Sequence, residues 1–360
     1  MTSVRVAVAG ASGYTGAELV RLLAQHPKVT LAAVTSEKSA GSPVFSVYPH
    51  LQGIVSLSFE ALAPEALAER ADLLFLALPH TKSMEPVASC LKAGKRVVDL
   101  SADYRLRDLR TFETWYQTAH LHPELLRSSV YGLPELHRTA IAQANLVASP
   151  GCYPTAAILQ LAPLVAHGFI DTNSIVIDAK SGVSGAGRSP ALAYHFPEAH
   201  ESLEPYKIGQ HRHIPEIEQE LTGLAVKHAR AAGTQASDPP GATITFTPHL
   251  VPMNRGILST AYARVKGRLN ANDLRAKYRD FYKGERFVRI LEGAMPNPRH
   301  VRGANYCDLA VHVDSRTGQV ITVAAIDNLI KGAAGQAIQA MNLMLGFPEE
   351  MGLTAPGIYP

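Results

Sequence analysis

This 360-residue chain is poor in cysteine, in charge of either sign and in long apolar runs. Its three cysteines, Cys90, Cys152 and Cys307, are too few and too scattered for a disulfide framework or a cysteine-based zinc site. A reducing, cytoplasmic setting is the expectation. Charged residues make up 18% of the chain and the formal net charge is only +3. Neither nucleic acid nor a membrane surface is called for as a partner. No unbroken apolar stretch approaches the roughly 18 to 20 residues of a membrane span. Met1-Thr2-Ser3-Val4-Arg5 runs straight into a strand with no signal-peptide core. There is no repeat period, and no third cluster of His or Cys that would make a metal site, so none is expected. What the chain does have is 46% hydrophobic residues, enough at this length for two domains with separate cores.

The first half alternates apolar strands with helical patterns. Val4 to Ala9, Val29 to Val34, Leu73 to Leu78, Val97 to Leu100 and Leu146 to Ala148 read as strands, with helices over Ala17 to Gln25 and Ser83 to Lys92. Continuous apolar strands separated by helices predict a doubly wound, Rossmann-like parallel sheet. In the second half, strand-like runs at 174–179, 243–247, 257–265, 309–313 and 320–325 alternate more and lie closer together. Helical patterns at 216–224 and 273–282 interrupt them, which predicts an α+β domain with a mostly antiparallel sheet. The stretch Ala229 to Gly241 reads as a surface loop. Asn328 to Leu345 reads as one long helix returning to the first domain. The expected domains are therefore 1–153 with 328–360, and 154–327.

Cys152 stands where an apolar strand passes into an apolar helix, in Ala148-Ser149-Pro150-Gly151-Cys152-Tyr153-Pro154-Thr155. Pro154 suits the first helical position. A thiol there would feel the positive helix end, which favours the reactive thiolate. It can equally be a small buried core residue. Cys90 and Cys307 read as structural. Gly10, Gly13 and Gly16 follow the first strand in Gly10-Ala11-Ser12-Gly13-Tyr14-Thr15-Gly16, a dinucleotide-binding spacing whose loop N–H groups hold phosphates. The second strand ends in Thr35-Ser36, with Glu37 and Lys38 beyond; Ser36 and Lys38 suit a 2′-phosphate, so NADP is expected.

Three further stretches carry candidate chemistry. In Gly209-Gln210-His211-Arg212-His213-Ile214-Pro215-Glu216, the two histidines point the same way if the segment is extended. They are metal ligands, inert, or a proton donor near neutral pH. Lys180, Ser181, Ser184, Gly185 and Arg188 lie in a glycine- and serine-rich loop fit for an anionic group. Asn328, Lys331 and Gly332 open the last helix, where side chains and N–H groups could hold a nicotinamide amide or a phosphate.

Taken together, and with Leu100-Ser101-Ala102-Asp103-Tyr104-Arg105, these stretches resemble the N-acetyl-gamma-glutamyl-phosphate reductase family of arginine synthesis over nearly the whole chain. The resemblance implies Cys152 as nucleophile, His211 as its acid/base partner and Glu216 as orienting residue. It implies Ser101 at the NADP site, and His213 on the substrate side while still a rival to His211. It implies a thioester route from acyl phosphate to semialdehyde, and a homo-oligomer, a tetramer or a dimer. An aminoadipyl-phosphate reductase, or a catalytically silent NADP sensor, is the alternative.

Overall fold

The computed structural model describes residues 3–233, 241–267 and 269–359, and the chain divides into two compact units. The first runs up to Gly151 and resumes over Ala333–Ala355; the second holds Cys152–Gly332 and the chain from Pro356 on. Residues 328–332 thus fall in the second unit, where the sequence reading put them in the first. The reason is Asn328, whose Oδ1 accepts from Gly256 N–H at 2.7 Å while its Nδ2 donates to Ser184 Oγ at 3.0 Å. Of the expected loop Ala229 to Gly241, residues 234–240 lie outside the described residues.

In the first unit, strands β1 (Val4–Ala9), β2 (Val29–Thr35), β3 (Phe59–Glu60), β4 (Leu73–Leu76), β5 (Arg96–Asp99), β6 (Val130–Tyr131) and β7 (Leu146–Ala148) form one sheet. Its order is β3-β2-β1-β4-β5-β7-β6 and every neighbouring pair is parallel. Val6, Ala7, Val8, Leu73, Leu74, Phe75, Val97 and Val98 are all 0% exposed, as strands covered on both faces must be. The strand order reverses between β1 and β4, so the loops at their carboxyl ends open the crevice where such sheets take ligands. Cys90 lies in the core of this unit, and burial pushes its thiol up to about 12.

The second unit carries β8 (Ile175–Gly182), β9 (Glu204–Pro205), β10 (Ile244–Val251), β11 (Ile257–Arg264), β12 (Val288–Ile290), β13 (Cys307–Asp314) and β14 (Gln319–Ile326). Their order is β12-β13-β14-β11-β8-β10-β9, antiparallel except at β12/β13 and β8/β10. The helix Cys152–Ala166 lies on one face: Gln160 Nε2 donates to Ser259 Oγ at 2.8 Å and Tyr153 meets the Phe246 ring at 5.4 Å. This helix is apolar all round and buried from Tyr153 to Val165, a central element. It starts at Cys152, so Pro154 is its third residue. The first turn has no carbonyl partners for its N–H groups, and a proline is tolerated there as at its start.

The expected single helix over 328–345 is instead a π-helical turn, Ile330–Ala334, followed by an α-helix, Gly335–Met344. The buried Asp327 carboxylate accepts from Leu329 N–H at 2.8 Å and Ile330 N–H at 3.2 Å, while Gly332 N–H reaches back five residues to Asp327 O at 3.0 Å. That spacing is the π pattern, and it delays the α-helix by a turn.

Candidate active site

The nucleotide loop is built by steric need at two of its three glycines. Gly10 turns with φ +76°, and a Cβ there would lie 2.3 Å from Ala77 O. At Gly16 a Cβ would lie 2.4 Å from Gly10 O, so the helix Tyr14–Leu23 sits directly on the turn. Gly13 differs. The nearest atom to its added Cβ is Gly10 O at an ordinary 3.6 Å, so internal packing does not require the glycine. A loop that leaves this space open fits close approach by a pyrophosphate. Tyr14 is 38% exposed and Thr15 half-buried in the first helical turn. Ser12 Oγ lies 2.7 Å from Ser36 Oγ, which also accepts from Ser39 N–H at 3.2 Å. The end of β2 therefore presents hydroxyls, with Glu37 and Lys38 exposed beyond it. Ser101 is fully buried, its hydroxyl donating to Asp99 Oδ2 at 2.7 Å and accepting from Asp103 N–H at 3.0 Å. Its oxygen builds a turn.

In the second unit, Cys152 opens its helix half-buried. A Cβ on Gly332 would come within 2.9 Å of Cys152 Cβ and 3.2 Å of Cys152 Cα, so the π-helical turn packs directly on the thiol-bearing residue. That turn is anchored by Asp327, which is 0% exposed and bridged to Arg255 at 3.0 Å, and which also accepts from Gly303 N–H at 2.7 Å. Lys331 is fully buried with its ammonium 5.8 Å from the Phe287 ring centre.

The histidine segment is a turn rather than extended: His213 caps the helix Ile214–Ala231 in a helical backbone conformation. The two rings nevertheless lie side by side, 4.6 Å apart, because His213 N–H donates to His211 Nδ1 at 3.2 Å. His211 and His213 meet the Tyr153 ring at 5.6 and 5.9 Å, His211 also meets Phe246 at 5.4 Å, and Tyr206 OH donates to Tyr153 OH at 3.2 Å. Burial, with Lys207 and Arg212 nearby, lowers the His211 pKa to about 4. Its imidazole is neutral at pH 7, with Nδ1 accepting from His213 N–H and the ring proton on Nε2. Burial raises Tyr153 and Tyr206 above the ordinary tyrosine range, with the Cys152 charge adding to both. Glu216 is 1% exposed in the first turn of its helix, where a carboxylate is favoured.

Ser181, Ser184 and Gly185 join this group. A Cβ on Gly185 would lie 3.0 Å from Ser181 Oγ, and Asn328 holds Ser184. Arg188 is exposed at the loop's far end. Lys180 is not brought to Cys152. Alternation along β8 turns it to the sheet face opposite the Cys152 helix, where it pairs with Asp178 at 2.7 Å. Tyr206, Phe246, Arg255 and Asp327 were not singled out in the sequence. Asp327, directly before the Asn328 stretch, was the one with a local signal. Among the described residues no group of His, Cys, Asp and Glu could hold a metal ion, and no helix is long and apolar enough to cross a membrane.

Residues 5–144 match a family model described as semialdehyde dehydrogenase, NAD binding domain; residues 152–328 match one described as semialdehyde dehydrogenase, dimerisation domain. The chain is 54% identical to the N-acetyl-gamma-glutamyl-phosphate reductase of Geotalea daltonii over 99% of this chain and 100% of that protein. It is 49% identical to the protein of the same name from Pelotomaculum thermopropionicum over the same shares. In fold it is similar to aspartate semialdehyde dehydrogenase with NADP from Candida albicans, with a TM-score of 0.70 and 18% identity over 96% of this chain and 99% of that one.

Proposed function

Since the chain belongs to the N-acetyl-gamma-glutamyl-phosphate reductase family, we propose that it reduces N-acetyl-gamma-glutamyl phosphate to N-acetylglutamate 5-semialdehyde and phosphate. The observation that carries the chemistry is the placing of Cys152 at the start of a buried helix, with His211 against the adjoining Tyr153. His211 takes the Cys152 proton at Nδ1 as that nitrogen releases the His213 N–H. The thiolate attacks the acyl carbonyl, the bond to phosphate oxygen breaks, and a thioester forms on Cys152. A bound nicotinamide cofactor supplies the hydride that reduces it. Developing charge on the carbonyl oxygen is met by N–H groups at the helix start and by the proton returned from His211. Collapse of the adduct frees the aldehyde and restores the thiol. Glu216 and Tyr153 orient the histidine, with His213 beside it on the substrate side. Ser181, Ser184, Gly185 and Arg188 form the anion-binding loop.

The cofactor is NADP in this reading. Hydroxyls at Ser12 and Ser36, followed by Lys38, suit a 2′-phosphate, and the carboxylate that would hold a free ribose hydroxyl is missing from the end of β2. Gly10 to Gly16 hold the pyrophosphate; Asn328 and Gly332 serve the nicotinamide end, and Lys331 braces their turn. The enzyme works in the cytoplasm as a homo-oligomer through the second sheet's open face, where Val176 and Tyr262 are 40% and 39% exposed.

The test runs the reaction backwards, because acyl phosphates are labile. Protein, N-acetylglutamate semialdehyde, phosphate and NADP should give phosphate-dependent NADPH. Silence with this aldehyde but turnover of the aminoadipate analogue would keep the mechanism and change the substrate.

A further inference from the structure

The stretch Leu100 to Arg105 has a task that cofactor binding does not explain. It follows β5, whose last residue, Asp99, is 0% exposed and accepts from both Ser101 N–H at 3.1 Å and Ser101 Oγ at 2.7 Å. Asp103, also 0% exposed, accepts from Thr81 N–H at 2.6 Å and Ser83 N–H at 2.9 Å. The turn is thus tied to the loop after β4, where Thr81 is held at φ +71°. On this frame Arg105, 6% exposed, donates from Nε to Ser149 O at 2.8 Å and from Nη2 to Leu100 O at 2.9 Å. Asp99 O in turn accepts from Ser149 N–H at 2.7 Å. Ser149 is therefore gripped through both of its backbone polar groups, three residues before Cys152. Only Pro150 and Gly151 separate the grip from the thiol-bearing residue.

We propose that Arg105 is a positioning residue for the reaction: its guanidinium clamps the carbonyl ends of β5 and β7 together and fixes the lead into Cys152. The proposal rests on the reading of Cys152 as nucleophile. A guanidinium suits the task because its rigid fork presents Nε and Nη donors side by side, one for each carbonyl. A lysine ammonium is a single point on a flexible stem and does not hold two fixed acceptors in that way. Burial of the fork leaves the carbonyls of Ser149 and Leu100 as its neighbours instead of water.

Arg105→Lys and Arg105→Gln are compared with wild type and Cys152→Ser in the reverse assay, alongside NADP affinity, melting and the rate of Cys152 alkylation by iodoacetamide across pH. The expected result is a kcat about 10- to 100-fold lower in both Arg105 variants, the scale of a nucleophile displaced by up to an ångström. KM for phosphate and NADP affinity should change less than about threefold, and the alkylation profile should shift. A large rise in KM for phosphate with kcat retained overturns the proposal in favour of direct phosphate contact. A lowered melting point with wild-type kcat and alkylation overturns it in favour of a fold-only role, as does failure of both variants to fold. Turnover in Cys152→Ser removes the nucleophile reading and the proposal with it. Loss there, with Arg105 variants unimpaired, removes the proposal alone.

Discussion

Gly332→Ala puts a single methyl where the structure has little room for one, beside Cys152. The new Cβ would stand 2.9 Å from Cys152 Cβ, 3.2 Å from Cys152 Cα and 3.3 Å from Asp327 O, whereas ordinary contact begins at 3.4 Å. About half an ångström has to be absorbed. Neither neighbour yields easily: Asp327 is tied to Arg255, Gly303, Leu329 and Ile330, and Cys152 begins a helix buried from its next residue onward. Overpacking of this kind costs about 1 to 3 kcal/mol, a fall of several degrees in melting temperature. Moving the nucleophile by a fraction of an ångström should lower kcat about 10- to 100-fold. The reverse assay gives kcat, a thermal melt gives stability, and iodoacetamide reports the thiol. Gly223→Ala is the contrast. That glycine lies inside the helix Ile214–Ala231 with nothing within 4 Å of an added Cβ, and the change should stabilise by about 0.5 to 1 kcal/mol without altering turnover. A Gly332→Ala enzyme with kcat within twofold of wild type would refute the reasoning.

Four further outcomes are expected. Cys152→Ser should abolish turnover and leave NADP affinity nearly intact; residual activity above a few per cent would rule out the thioester route. His211→Asn should slow the reaction about 100- to 10,000-fold, and the same loss from His213→Asn instead would move the proton donor by two residues. His211 also titrates at about 4 when folded against its ordinary 6.5, so the unfolded chain binds the extra proton between those values. Stability should fall as pH drops through that window, by up to about 3 kcal/mol, and His211→Asn should flatten that fall in denaturant titrations. Asp99, raised to about 6 by burial and Asp103, acts in the opposite sense and is common to both proteins. Finally, Ser36→Asp should swing the preference from NADP towards NAD by at least tenfold, measured as the ratio of kcat/KM; an unchanged ratio would remove Ser36 from the 2′-phosphate site.

The parallel sheet was legible because its central strands are unbroken apolar runs, and the Gly10 to Gly16 loop because its spacing has a steric cause at each end. The strands of two residues, Phe59–Glu60, Val130–Tyr131 and Glu204–Pro205, were not, since pairing with a neighbour defines them and no local pattern does. Lys180 shows a different limit. Its residue type suits an anion, but its facing is set by the register of β8 against β10 and β11, which no local composition reveals. The π-helical turn before Gly335 escaped because its cause is one buried carboxylate, Asp327, whose partner Arg255 lies 72 residues away. The two-residue spacing of His211 and His213 puts both rings on one side of an extended segment; the structure brings them together through a turn instead, made by a hydrogen bond from His213 N–H to His211 that the spacing does not reveal.

The first unit is closed by a segment that comes last in the chain. The helix Gly335–Met344 holds the earlier parts through Gln339 to Glu135, Asn342 to His26, and the Met344 carbonyl to Arg96. During synthesis, the seven parallel strands are complete once Ala148 is made, yet their cover arrives more than 180 residues later. At roughly 5 to 20 residues per second that is a wait of order ten seconds or more. The second unit meanwhile has all of its sequence but the last few residues, those from Pro356 on, available by Gly332 and can fold first. A ribosome that stops short of Ala333 would therefore release a chain whose amino-terminal half is present in full but bare along one helix's worth of apolar surface. Such chains should be found with chaperones and in aggregates, and a stop codon near the end of the gene should be as damaging as one near its beginning.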